Sequence, residues 1–327
     1  MEDHRICTFR RIGQGFCGSV WAAPIDSNEI HAIKRENGGP GRNVYNDYIM
    51  HDKILSALPQ QSVQIPDCYR YVHRTDYAWW DQRLARFPDR FQVPGNALVT
   101  ERVPPFPASV RYGIIEKYCP EKLVSSIKVS DADQDCLVRP YLGRSRRQER
   151  QTGFHAFSLR NYPLHVDQME ELSLDKAKYA RIMAETLAAM YWKAEVDAND
   201  VEFVLAPPRR GHRSSSNIHL NGSVSNNVIR SPFLGNHTMW ILDFDCCRDM
   251  SQDEEGVKQA VAAFYRNDPF FPRPGRDDVR DQQLWKMFRE RFLEVSKEIV
   301  GAGERAGLPD LWVRLVEENG RMATVLE

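Results

Sequence analysis

A glycine triad on a predicted hairpin, Gly13-Gln14-Gly15-Phe16-Cys17-Gly18-Ser19-Val20, followed by Ala32-Ile33-Lys34 on a later strand, restricts this chain more than any other feature. Glycines at Gly13, Gly15 and Gly18 let a hairpin backbone come close to a polyanion or an adenosine, and a lysine on a neighbouring strand places a point charge beneath the loop. Turn glycines without a ligand are the commoner case. The valine two places after the last glycine and the apolar-apolar-lysine strand favour the binding role.

Two downstream motifs complete the set that such a lobe needs. Asp197-Ala198-Asn199-Asp200-Val201-Glu202-Phe203-Val204-Leu205 has an aspartate, a polar side chain five residues on, and an apolar strand. Trp240-Ile241-Leu242-Asp243-Phe244-Asp245 is a second apolar strand running into Asp-Phe-Asp. In order and spacing these elements resemble the protein-kinase-like fold, including its aminoglycoside-phosphotransferase branch. The resemblance implies an α+β, bilobal protein-kinase-like fold, with a β-rich N-lobe over 1–103 and a helical C-lobe over 104–327. Against that pattern His-Arg-Asp becomes Glu195-Val196-Asp197, the metal-holding asparagine becomes Glu202, and the glycine of Asp-Phe-Gly becomes Asp245. Asp197, Glu202, Asp243 and Asp245 would then share one cleft, where like charges resist ionising together unless a cation joins them. A magnesium-bound triphosphate is one such cation source, and a substrate guanidinium is another. Solvated acids in an inactive pocket are the bland alternative.

The bulk numbers exclude several classes. A net charge of -1 gives no global drive toward nucleic acid or membrane, so a polyanion site has to be a local patch. No stretch approaches the ~18 apolar residues of a membrane helix, and the polar Met1-Glu2-Asp3-His4-Arg5 is unlike a signal peptide. The expected location is cytoplasmic, with neither membrane nor DNA as partner. Seven cysteines at scattered positions without Cys-x-x-Cys spacing argue against a disulfide framework and a zinc module. His212, His219 and His237 share a polar stretch without cysteine partners, so no metal is expected.

Along the chain, 6–35 predicts two or three strands around the glycine turn. Asn43 to Leu58 predicts a helix with Tyr45, Tyr48, Ile49, Ile54 and Leu55 on its apolar side. Asp47 is the leading partner for Lys34 on that helix, with Asp52 competing. Ala97-Leu98-Val99-Thr100-Glu101-Arg102-Val103 meets Pro104-Pro105, the form of a hinge whose Glu101 and Val103 offer backbone groups to an adenine-like ring. Residues 139–150 hold five arginines (Arg139, Arg144, Arg146, Arg147, Arg150) and one acid, a footprint either for phosphate contact or for a solvated loop. Ser173 is the expected cap of a long helix over 174–193, with Tyr179, Ile182, Met183, Leu187 and Met190 in its core stripe. Residues 206–237 predict a hairpin insertion carrying Arg209, Arg210 and Arg213, and helices are expected near 254–266, 281–300 and 309–318.

Phe157-Ser158-Leu159-Arg160-Asn161-Tyr162-Pro163-Leu164-His165-Val166-Asp167-Gln168-Met169-Glu170 and 197–205 resemble a fungal kinase-like domain-of-unknown-function family that includes the arginine-containing cyclodipeptide synthases. That resemblance implies an aminoacyltransferase of fungal secondary metabolism, condensing arginine from arginyl-tRNA with the amino acid of a second aminoacyl-tRNA into a diketopiperazine. It implies no cofactor. Asp197, Glu202 and Asp243 would be catalytic, and Gly13, Gly15, Gly18, Lys34, Glu101, Val103 and Asp245 would bind substrate. Arg139, Arg144, Arg146, Arg147, Arg150, Arg209, Arg210 and Arg213 would bind tRNA, whose helices are read largely through shape and backbone. No nucleophile is assigned: Cys17, Ser19 and Cys246 fall near the expected cleft, and an inert thiol is the plainer reading of both cysteines. The alternatives are a phosphotransferase using magnesium and ATP, and an inactive pseudokinase binding module.

Overall fold

The structure, a computed structural model, describes residues 7–15, 17–27, 29–36, 43–58, 63–146, 157–209, 227–267 and 269–326, with side chains through Arg321. It is α+β and bilobal, with one five-stranded sheet in each lobe. The first lobe contains β1 (Arg10–Gln14), β2 (Gly18–Ala22), β3 (His31–Glu36), α1 (Val44–Ala57), β4 (Cys68–Val72), α2 (Tyr77–Asp81) and β5 (Ala97–Glu101). Its sheet order is β1-β2-β3-β5-β4, antiparallel throughout. The period of two along β3 sends Ala32 and Lys34 to one face and Ile33 and Arg35 to the other. Ile33 joins Trp21, Trp80, Phe87 and Val99 in a core on the outer face. Arg35 is held there by Phe91 O and Val93 O, with its guanidinium over the Trp80 and Phe87 rings, and burial pushes its pKa down to about 10.

Asn43 caps α1 by accepting from Asn46 N at 2.7 Å. The face of α1 is not the one expected. Val44, Asp47, Met50, His51 and Ile54 are buried, whereas Tyr45 and Ile49 are exposed. The apolar pattern misleads here because Asp47 and His51 have partners inside the molecule that repay the burial of polar groups. Met50, Ile54 and Leu58 belong to the core of the second lobe, so α1 ties the lobes together.

That lobe continues through α3 (Ala108–Tyr118), α4 (Val124–Val129), β6 (Val138–Tyr141), β7 (Tyr162–His165), α5 (Val166–Glu171), α6 (Lys176–Trp192), β8 (Glu202–Ala206), β9 (Ile229–Ser231) and β10 (Gly235–Leu242). It ends in α7 (Glu254–Arg266), α8 (Val279–Val300) and α9 (Leu308–Leu326). The expected core stripe of α6 is buried at all five positions. Its cap is Asp175, which accepts from Lys178 N, while Ser173 takes a left-handed φ of 52° in the turn before it.

The second sheet, β7-β6-β8-β10-β9, is an addition to the helical lobe the sequence suggests. Its strands β6 and β7 are short and contain prolines, which hides them from a pattern reading. Pro140 also removes a donor, and β6 meets β8 only at Val138↔Leu205 while running parallel to β7 over four pairs. The hairpin expected over 206–237 is seen as β8 and β9 flanking β10, with residues 210–226 outside the described part.

Candidate functional site

Between the lobes lies a cleft of about 160 Å3, with Ile12, Val20 and Ala32 above, Leu137 and Leu242 below, and Glu101 and Val103 at its rear edge. Lys34 enters from β3 and is gripped by three carboxylates: Asp47 Oδ2 at 2.6 Å, Asp243 Oδ1 at 2.5 Å and Asp245 Oδ2 at 3.4 Å. Asp47 is thus the α1 partner of Lys34. Burial opposes the charge of Lys34, but Asp243, Asp47 and Asp245 together hold its pKa well above the ordinary lysine value. Burial lifts the Asp243 carboxyl above the usual range, with Asp47 and Asp245 adding to the rise and Lys34 pulling against it.

Several contacts fix this arrangement. Asp47 Oδ1 accepts from Phe244 N at 3.1 Å, and Asn46 Nδ2 donates to Asp245 O and Cys247 O. Phe244 is fully buried with its ring 5.0 Å from that of His51. His51 Nε2 lies 2.7 Å from Pro66 O, and burial lowers its pKa, so the neutral ring donates to that carbonyl. Asp243 has a left-handed φ of 67°, a conformation non-glycine residues adopt at a cost and one that recurs at functional sites.

The three glycines serve different purposes. Gly13 lines the cleft beside Val20, and Gly15 N donates to Gly18 O at 2.9 Å to close the turn. Gly18 answers to packing, because a Cβ there would lie 2.0 Å from Arg35 O on β3. Gly18→Ala is therefore expected to separate β2 from β3 and cost about 1–3 kcal/mol, the range for overpacking. Thermal melting measures this, and an unshifted midpoint would refute the close-approach explanation.

The acids expected to converge do so only in part. Asp197 is 2% exposed and both its oxygens are engaged: Oδ1 accepts from Asn199 N at 3.1 Å and Arg248 N at 3.0 Å, and Oδ2 accepts from Gln259 Nε2 at 2.9 Å. It stitches the 197–200 loop to the segment after Asp245. Glu202 is ion-paired with Arg139. Asp200, which the motif reading passed over, is exposed, and its ligand atom lies within 4.8 Å of those of Asp245 and Cys246. Its position three residues after Asp197 was the available signal. Asn161, His51 and Pro66 also line the cleft and carried no signal of their own.

The arginines fare similarly. Arg146 donates to Asp167 and Glu171 and lies over the Tyr118 ring. Arg209 grips the Glu101 carboxylate with two nitrogens and donates to Ile65 O, so it braces the hinge. With Arg139 on Glu202, three of the expected phosphate contacts are thus engaged in ion pairs inside the protein. Arg144 is exposed, and Arg147, Arg150, Arg210 and Arg213 lie outside the described residues.

The donor chemistry bears on metals. Among the described residues one group of three candidate ligands comes together, Asp200, Asp245 and Cys246. A thiol is a poor partner for magnesium, which takes oxygen ligands, and Glu202 is engaged by Arg139. Burial pushes the Cys17 thiol up to about 12 and the Cys247 thiol well above its ordinary value, so both are held protonated. No helix among the described residues is long and apolar enough to cross a membrane.

Comparison with known proteins adds one match. Residues 239–304 match a family model described as DUF3669, zinc finger protein. That stretch contains Cys246 and Cys247 and no histidine, so it lacks the four cysteine or histidine ligands of a structural zinc site. No curated protein matches the chain. The resemblance to a kinase-like family of arginine-containing cyclodipeptide synthases is overturned by this finding: the family that the chain matches, over 239–304, is the one described as a zinc finger protein.

Proposed function

We propose that the chain is an aminoacyl-tRNA-dependent transferase on kinase-like lobes, which takes the terminal adenosine of a charged tRNA into its cleft and condenses arginine with a second amino acid into a diketopiperazine. With the family resemblance withdrawn, this reading stands on the residues. The observation that carries it is the pairing of Glu202 with Arg139 beside an apolar cleft whose lysine is already saturated by Asp47, Asp243 and Asp245. A triphosphate with two metal ions needs free ligands at the Glu202 position. An adenosine ester needs only the apolar slot and the hinge.

In the chemistry, the α-amine of one aminoacyl ester attacks the carbonyl of the other. A C–N bond forms, the ester C–O bond breaks, and the amine proton passes through a base to the departing ribose oxygen. A second such step closes the ring and releases the other tRNA. In this reading the base is Asp200, exposed at the 197–200 loop. The seven free thiols suit a reducing cytoplasm.

A second reading, phosphotransfer from magnesium and ATP, is favoured by the contact of Lys34 with both Asp47 and Asp243. One experiment separates the two. The purified chain is incubated with magnesium and ATP, arginyl-tRNA and a mixture of other aminoacyl-tRNAs, with and without ribonuclease, and products are read by mass spectrometry. An arginine diketopiperazine that disappears with ribonuclease is the expected result. No such product, together with phosphate transfer from ATP, would establish the second reading.

A further inference from the structure

Behind the 197–200 loop the second lobe carries another concavity, about 450 Å3 in volume, which Arg144, Arg273 and Arg276 line. Asn267, on its wall, is bonded directly to the loop: Oδ1 accepts from Asp200 N at 2.5 Å and Nδ2 donates to Ala198 O at 3.1 Å. The end of β6 is pressed against the same wall. Gly143 N donates to Pro269 O at 2.9 Å, and a Cβ on Gly143 would sit 2.3 Å from Phe271 O.

Arg273 is the unusual member. Its guanidinium lies over the rings of Phe264 and Tyr265, with its central carbon 4.6 and 5.1 Å from their centroids, and its bonds go to main-chain carbonyls, Phe264 O at 2.9 Å and Asn267 O at 3.4 Å. Among the described residues neither Arg273 nor Arg276 forms an ion pair. Burial lowers the pKa of Arg273 to about 10, with Arg276 and Arg144 adding to the fall, so it remains charged at neutral pH. A partly buried guanidinium without a counter-charge is costly, and an anion supplied from outside relieves that cost. Asp277, Asp278 and Asp281 also line the concavity. Asp278 is already taken, since it caps α8 through Arg280 N and pairs with the Arg280 guanidinium. Asp281 has its pKa raised, by burial and then by Asp278, with Arg276, Lys176 and Arg280 pulling against the rise. Asp277 is exposed.

We propose that this concavity is a phosphate subsite for RNA, in which Arg273 and Arg276 hold a backbone phosphodiester of the acceptor strand against the wall of the 197–200 loop. This rests on the tRNA-dependent reading. A phosphate seated here touches the same Asn267 that braces Asp200, so it positions the 3′ end relative to the cleft. The source is RNA and not a small anion because the concavity is open and takes a third lining arginine, Arg144, from the arginine-rich 139–150 run.

The test is filter binding of uncharged tRNA to the full chain over a range of salt, for wild type, Arg276→Ala and Arg273→Lys. Arg273→Lys keeps the charge but loses the planar fork. Melting curves check that both variants fold, and Arg276, whose side chain has no bond to lose among the described residues, keeps the test open if Arg273→Lys does not. Arg276→Ala is expected to weaken binding several-fold and to reduce the slope of log affinity against log salt by about 0.7–0.9, one phosphate contact. Wild-type affinity and slope in the folded variants would overturn the subsite. Binding of inorganic phosphate without binding of tRNA would also overturn it. Weakened tRNA binding by the variants, in a chain that makes no diketopiperazine, would support the subsite and defeat the proposed reaction alone.

Discussion

Lys34→Met is expected to reduce product formation by about a hundredfold or more, the scale for losing a preorganised charge at a reacting centre. It should also lower the melting temperature at neutral pH. Lys34 is 14% exposed and is the shared cation of Asp47, Asp243 and Asp245. Methionine fills much of the same volume, so the lost stability reports the carboxylates left facing one another. Breaking a buried pair by removing one partner costs about 3–5 kcal/mol. The size of the loss should depend on pH. Without Lys34 the Asp243 carboxyl, already raised, loses the charge that pulls against the rise. The variant is then most stable at low pH, where Asp243 is protonated, and loses stability as pH climbs through its raised value. In the wild type the Lys34 linkage has the opposite reach: its pKa is raised, so its contribution is complete below the ordinary lysine value of about 10.4 and is lost only above it. Chemical denaturation at several pH values measures both. A variant that is destabilised equally at pH 5 and pH 8 would show that the acids are not coupled through Lys34.

What was legible in the sequence was whatever depends on local order. The glycine turn, the strand lysine, the extent of α1 and the stripe of α6 are set by neighbours within one or two turns, so pattern alone located them. The choice between Asp47 and Asp52 stayed open in the sequence, and the fold made it by burying Asp47 on the face of α1 that turns to the cleft. Side-chain engagement was not legible. Arg139, Arg146 and Arg209 belong to a basic footprint in sequence, yet Glu202, Asp167 with Glu171, and Glu101 claim them in space, at separations of 63, 21 and 108 residues. Arg273 was passed over for the converse reason. It sits among prolines and other arginines near a run of aspartates that looks self-neutralising, and only the fold shows that Asp278 is committed to Arg280.

The same limit changes the meaning of the most obvious mutation. Asp197→Asn is isosteric, and on sequence grounds, like Glu202→Gln, it removes charge while leaving the fold intact. In the structure the carboxylate accepts three hydrogen bonds, from Asn199 N, Arg248 N and Gln259 Nε2, at a site 2% exposed. An asparagine offers one oxygen and one NH2. Whichever way it turns, the NH2 faces a donor, and a buried donor loses its acceptor at about 1–3 kcal/mol. Asp197→Asn should therefore lower the melting temperature and loosen the 197–200 loop, and product formation should fall through misplacement of Asp200. Glu202→Gln differs in kind, leaving the Arg139 charge without its carboxylate. Asp200→Asn, at an exposed position, is the substitution that tests chemistry outside the buried Asp197 network. If Asp200→Asn melts like wild type and loses activity by about a hundredfold, the scale for removing a general base, Asp200 is the base. The pair of results is decisive: an Asp197→Asn protein with wild-type stability and no activity would return the role to Asp197, since a purely architectural carboxylate cannot be replaced without a change in melting.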